Sequence, residues 1–145
     1  MRIFTAFPLE ETARRELYAG YAPVRDDLDS VKWVAEENLH ITLIFFGEMT
    51  KEELGELLGT LESGLPLPET FRVEYRGIEC FPPRGKPKVI YSRITEGTAE
   101  CIEVWSRITG RLPRDDRSPG RGGDKPYIPH ITLGRIKAKG FYPRP

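Results

Sequence analysis

The chain has 145 residues, 39% of them hydrophobic and 30% charged, enough for one domain with a core or for two small lobes sharing a cleft. Its 22 basic and 22 acidic residues cancel, which argues against a protein that wraps long nucleic acid by neutralising phosphates; were RNA its ligand, an end or a single nucleotide would suit it better than a long duplex. No apolar run approaches the length of a membrane span.

Residues 1–7 predict a strand, with Arg2, Phe4 and Ala6 on one face and Ile3, Thr5 and Phe7 on the other. The stretch is too short, and Glu10 and Glu11 follow too soon, for a secretory leader. Cys80 and Cys101 both sit among apolar residues and are expected as reduced thiols, so a cytoplasmic protein is expected. Pro8 opens a predicted helix to about residue 19, acidic at its start as the helix dipole favours, and a loop follows to residue 30. Residues 31–34 read as a short strand, Glu36 to Asn38 as a turn, and the β-branched and aromatic residues 40–46 as a longer strand.

Thr50 and Glu53 match a capping box, and Leu54, Leu57, Leu58 and Leu61 follow at helical spacing until Gly64 and Pro66. Residues 71–81 and 89–94 predict two strands around the turn-rich 82–87. Thr98 opens a helix expected to bury Ile102, Trp105, Ile108 and Leu112. Residues 111–126 are irregular and mildly basic, with Arg111, Arg114, Arg117, Arg121 and Lys125 against Asp115, Asp116 and Asp124. That segment either steers a phosphate backbone or is simply a solvated loop. A last strand starts near Tyr127.

The tetrapeptide His-Ile-Thr-Leu occurs twice, at 40–43 and 130–133, and the chain has no other histidine. In a strand, alternation turns His40 and Thr42 to one face, roughly 6.5–7 Å apart, and does the same for His130 and Thr132. Ile41, Leu43, Ile131 and Leu133 then point into the supporting core. An imidazole ordinarily titrates at about 6.5, so a pair can supply both a base and an acid near neutrality. Threonine hydroxyls can donate to non-bridging phosphate oxygens. Brought together, the two motifs suit a phosphodiester, with no metal or other cofactor needed. Thr42 or Thr132 alone would be an ordinary strand residue; each gains meaning from its histidine. Two histidines and two cysteines also match a zinc ligand count, but no Cys-x-x-Cys or His-x₃₋₅-His spacing is present. Phe46 shares the His40 face and is a candidate for base stacking or for the core. Tyr127, three residues before His130, is a second candidate for a base contact.

The paired motifs and their flanks resemble the two-histidine phosphoesterase superfamily, and within it the LigT-like RNA 2′,3′-cyclic phosphodiesterases, also called 2′-5′ RNA ligases. The resemblance is carried by Arg2-Ile3-Phe4, Glu37-Asn38-Leu39-His40-Ile41-Thr42-Leu43, Phe46-Gly47-Glu48, Gly77-Ile78, Phe81-Pro82 and Pro129-His130-Ile131-Thr132-Leu133-Gly134-Arg135. It implies an α+β fold, bilobal and pseudo-twofold, with two antiparallel sheets facing a central cleft and helices outside. Residues 1–145 would form a single bilobal domain, in halves of about 1–66 and 67–145 with strands exchanged between them. It also implies hydrolysis of a 2′,3′-cyclic phosphate to a 2′-phosphate. His40 would be the general acid and His130 the general base, with Thr42, Thr132 and Arg135 binding the phosphate. Partners would be RNA ends or cyclic nucleotides, with no membrane. Only residues 134–145 follow the second motif, so a shortened second lobe is expected. The chain would be a monomer, or a dimer where that lobe leaves a sheet edge open. A 2′-5′ ligase using the related transesterification, and a nucleotide- or RNA-end-binding module without turnover, are the alternatives.

Overall fold

A computed structural model of the chain describes residues 1–112 and 127–137. Along the chain these form β1 (Arg2–Pro8), α1 (Glu11–Gly20), α2 (Ala22–Asp27), β2 (Val31–Trp33), a 3₁₀ turn (Glu36–Asn38), β3 (His40–Glu48), α3 (Lys51–Glu62), β4 (Glu74–Phe81), β5 (Val89–Glu96), α4 (Thr98–Gly110) and β6 (His130–Ile136). The class is α+β, with β6 pairing antiparallel to β2, β3 and β5. β4 and β6 each start about three residues later than the sequence predicts, and two further differences involve prolines. Pro8 closes β1 instead of opening the helix, since a proline at a strand end forfeits no ladder hydrogen bond. The stretch expected as a loop to residue 30 holds α2, with Pro23 in its first turn. Arg114, Arg117, Arg121 and Lys125 of the basic segment, and the tail beyond Lys137, lie outside the described residues. Among the described residues no helix is long and apolar enough to cross a membrane.

The chain divides into two compact units. The first comprises Met1–Ala6, Thr42–Glu74 and Thr95–Pro129. There β1 lies beside β3, and the Met49 amide donates to the Met1 carbonyl at 2.8 Å. The expected capping box of α3 forms in both directions: the Glu53 amide donates to Thr50 Oγ1 at 3.1 Å, and the Thr50 amide donates to Glu53 Oε2 at 2.9 Å. Of the leucine stripe, Leu57 is buried while Leu58 is 47% exposed, because the next residue on a helix turns about 100° away from the core. Helix α4 buries Cys101, Val104 and Ile108, a stripe at i, i+3 and i+7, and leaves Ile102 exposed. Arg111 donates to the Ser63 and Gly64 carbonyls, each at 3.0 Å, beyond the end of α3.

The second unit comprises Phe7–Ile41, Tyr75–Ile94 and His130–Pro145. Its organising strand is β6. On one side β6 pairs with β2 (Val31↔Ile136, Lys32↔Arg135, Trp33↔Gly134) and with the start of β3 (Ile41↔Ile131). On the other it pairs with β5 (Val89↔Arg135, Ile90↔Gly134, Tyr91↔Thr132, Ser92↔Ile131, Arg93↔His130). Leu133 has no partner of its own on β5, so β6 carries a bulge there. Leu133 and Gly134 are consequently both buried, one after the other. Gly134 is required by contact: a Cβ on it would lie 2.6 Å from Val31 Cγ1 and 2.9 Å from Trp33 Cε3. Tyr21, Ile41, Ile90, Ile131 and Leu133 are all nearly inaccessible and form the core beneath β6.

Candidate active site

Each histidine is the first residue of its strand, followed by a buried isoleucine, a half-buried threonine and a buried leucine. Ile41 and Ile131 face each other across the β3–β6 pair and are 1% and 0% exposed. Alternation therefore turns His40, His130 and Thr132 to the opposite, accessible face of the second unit. One step back on β3 and one forward on β6 from the isoleucine pair sets His40 across from Thr132. On the far side of β6, Tyr91 lies opposite Thr132 and Arg93 opposite His130. The accessible face thus carries His40, Thr132 and Tyr91 in one row across three strands, with His130 and Arg93 in the next.

His40 Nδ1 lies 2.6 Å from the Asn38 carbonyl at the end of the 3₁₀ turn. A carbonyl can only accept, so Nδ1 carries a proton in this contact. His130 follows the buried Pro129, and its ring meets the Tyr91 ring edge-on, with centroids 5.4 Å apart at 70°. Arg93 Nε donates to Glu79 Oε2 at 2.8 Å. Hydrogen bonds to Glu79, and then to Tyr91, push the Arg93 pKa above the ordinary arginine value. Glu79, Arg93 and Tyr91 thereby form a polar chain leading to the edge of His130.

The bulge decides where Arg135 points. Strict alternation over the three residues from Thr132 would turn Arg135 to the buried face. The extra residue restores it to the Thr132 side, where it pairs with Val89, two positions from Tyr91 on β5. Arg135 is exposed there.

The remaining candidates belong to the first unit. Thr42 is half-buried and, two residues along β3, turns to the same side of the strand as His40. Phe46 is 3% exposed, which leaves its ring no open face for a base; the apolar surroundings of the first unit claim it as core. Tyr127 stacks on Trp105, with centroids 5.5 Å apart at 9°, and its hydroxyl donates to the Thr42 carbonyl at 2.8 Å. Burial, and to a lesser degree Cys101, push the Tyr127 pKa well above the usual phenol range, so its hydroxyl stays a donor.

Sequence reasoning did not single out Tyr91, Arg93, Glu79 or Lys32, and gave Asn38 no part beyond its turn and motif. The alternation of Tyr91 and Arg93 with Ile90, Ser92 and Ile94 is visible in the chain, but which strand lies beside β5 is not. Among the described residues no group of three or more His, Cys, Asp or Glu converges as metal ligands would.

Residues 7–91 match the family described as LigT like Phosphoesterase. The RNA 2′,3′-cyclic phosphodiesterase of Thermus thermophilus is 35% identical over 139 residues, covering 95% of this chain and 70% of that protein. The protein of the same name from Archaeoglobus fulgidus is 30% identical over 142 residues, covering 96% of this chain and 74% of its own length. The crystal structure of TT0787 of Thermus thermophilus superposes with a TM-score of 0.79 at 35% identity, over 95% of this chain and 75% of that one. With a family match over more than half of the chain, and relatives of this similarity along nearly all of it, the chain belongs to the LigT-like phosphoesterase family.

Proposed function

We propose that the chain hydrolyses the 2′,3′-cyclic phosphate at an RNA end or on a nucleotide to a 2′-phosphate, using His40 and His130 as its acid and base. It is an enzyme of the kind its relatives are named for, an RNA 2′,3′-cyclic phosphodiesterase. The observation that supports the residue assignment best is the Ile41↔Ile131 register, which turns both imidazoles to one face of the second unit and sets His40 across from Thr132.

In this reading His130 takes a proton from water as the water oxygen attacks phosphorus. The bond from phosphorus to the 3′-oxygen breaks, and His40 Nε2 gives its proton to that oxygen. The product is a 2′-phosphate with a free 3′-hydroxyl. The acid role of His40 and the base role of His130 are those the family resemblance implies; the Asn38 carbonyl takes the Nδ1 proton as a hydrogen bond, so Nε2 is the atom that serves the transfer. Thr132 and Thr42 donate from their hydroxyls to the non-bridging oxygens, each from the same side of its strand as its histidine. Arg135 adds positive charge on the Thr132 face.

The test is turnover of an oligoribonucleotide ending in a 2′,3′-cyclic phosphate, in the presence of EDTA, with the product's phosphate position read out. Wild type should yield a 2′-phosphate. His40→Ala and His130→Ala should each lose at least about 100-fold in kcat, the contribution expected of one proton transfer. Unchanged turnover in either folded variant, or a 3′-phosphate product, would overturn the assignment.

A further inference from the structure

In the ladder between β2 and β6, Lys32 lies directly across from Arg135. Directly opposed residues of an antiparallel pair hold their Cβ atoms about 4.5–5.5 Å apart, and like charges in that relation repel. Both side chains are exposed, and among the described residues neither belongs to an ion pair. Their neighbour across β6, Val89, brings no charge. Two cations are therefore held side by side, with no anion paired to either among the described residues, in a chain whose net charge is zero.

Their position relates them to the reaction. The bulge at Leu133 puts Arg135 on the same face as Thr132, and Lys32 joins it from the far side of the ladder. Measured along β5, their row lies two residues from the Tyr91–Thr132–His40 row, roughly 6.5–7 Å. That step is comparable to the one separating the two phosphates on either side of a nucleoside in an extended strand. We propose that Lys32 and Arg135 form a second phosphate subsite, which takes the phosphodiester on the 5′ side of the terminal nucleoside while the cyclic phosphate lies against the histidines. The proposal rests on the cyclic-phosphodiesterase reading and deepens it: the substrate is the end of an RNA chain in preference to a free cyclic mononucleotide.

Equilibrium titration tests this without requiring turnover. The probes are a ribodinucleotide ending in a 2′-phosphate and the matching nucleoside 2′-monophosphate, each measured at several salt concentrations. Wild type should favour the dinucleotide and show the steeper salt dependence with it. Lys32→Ala should lower the dinucleotide-to-mononucleotide affinity ratio by about 5- to 10-fold and reduce the dinucleotide's salt slope by about 0.7, the share of one phosphate contact on a single strand. Lys32→Arg should keep both. A ratio that Lys32→Ala leaves unchanged, an equal weakening of both ligands, or no binding of either by wild type would overturn the subsite. Should the dinucleotide preference depend on Lys32 while no cyclic phosphate is turned over, the subsite stands and the activity falls. Turnover of a cyclic-phosphate end with a Lys32-independent ratio overturns the subsite and leaves the activity standing.

Discussion

At His40 a backbone carbonyl two residues upstream lies 2.6 Å from Nδ1, and this local contact assigns the proton of that nitrogen. Tyr127 works the other way, for its hydroxyl reaches across 85 positions of sequence to the Thr42 carbonyl. Tyr127→Phe removes that donor while keeping the ring that stacks on Trp105. It should cost about 1 kcal/mol, read from urea unfolding, as expected for a single neutral hydrogen bond. Cys101 is 0% exposed, and its thiol is pushed up to about 11, first by burial and then by Glu100. At pH 8 the native protein should resist alkylation at Cys101 and react only at the half-buried Cys80, as mass spectrometry of the labelled protein would show.

At the level of single elements, α3 and β6 show two kinds of specification. The capping box of α3 is a contact between residues three apart, so Thr50→Ala should cost about 1 kcal/mol in the same unfolding measurement, with no change in the accessible face of the second unit. In β6 the bulge and Gly134 act together. Gly134→Ala would drive a methyl into Val31 and Trp33, a clash relieved by parting β2 from β6. A cost of about 1–3 kcal/mol is expected, and amide exchange should speed up in β2 more than in β5.

For the whole molecule, a buried phenol and a buried thiol make alkaline pH the weak side. Burial pushes Tyr21 from 10.0 to about 12 and Cys101 from 9.0 to about 11. In both cases the folded state prefers the neutral, protonated form. Each group therefore contributes stability that is complete below the unfolded pKa and is lost as pH rises through the folded one. Thermal melting should be flat with respect to these groups below about pH 9 and should fall progressively between pH 9 and 12. Removal of the thiol in Cys101→Ala should flatten the part of that fall nearest pH 9–11, even though the smaller side chain lowers the melting temperature throughout.

Local chemistry was readable in the chain because it acts over a few residues: the repeated His-Ile-Thr-Leu, the alternation that buries Ile41 and Ile131, the Thr50–Glu53 box, and the strand character of residues 40–46. Where structure and expectation part, the competing influence is tertiary: α4 turns Cys101 inward in place of Ile102. For Phe46 the sequence left base stacking and core both open, and packing decides for the core. The partners of β6 lie far from it in sequence, and no local propensity encodes them, so Tyr91, Arg93 and Lys32 became visible only through strand pairing. Arg135 marks the boundary between the two kinds of information. Its identity stood in the sequence, but the side of the sheet it serves was set by one extra residue in a ladder, and a shift of one residue reverses every side chain beyond it.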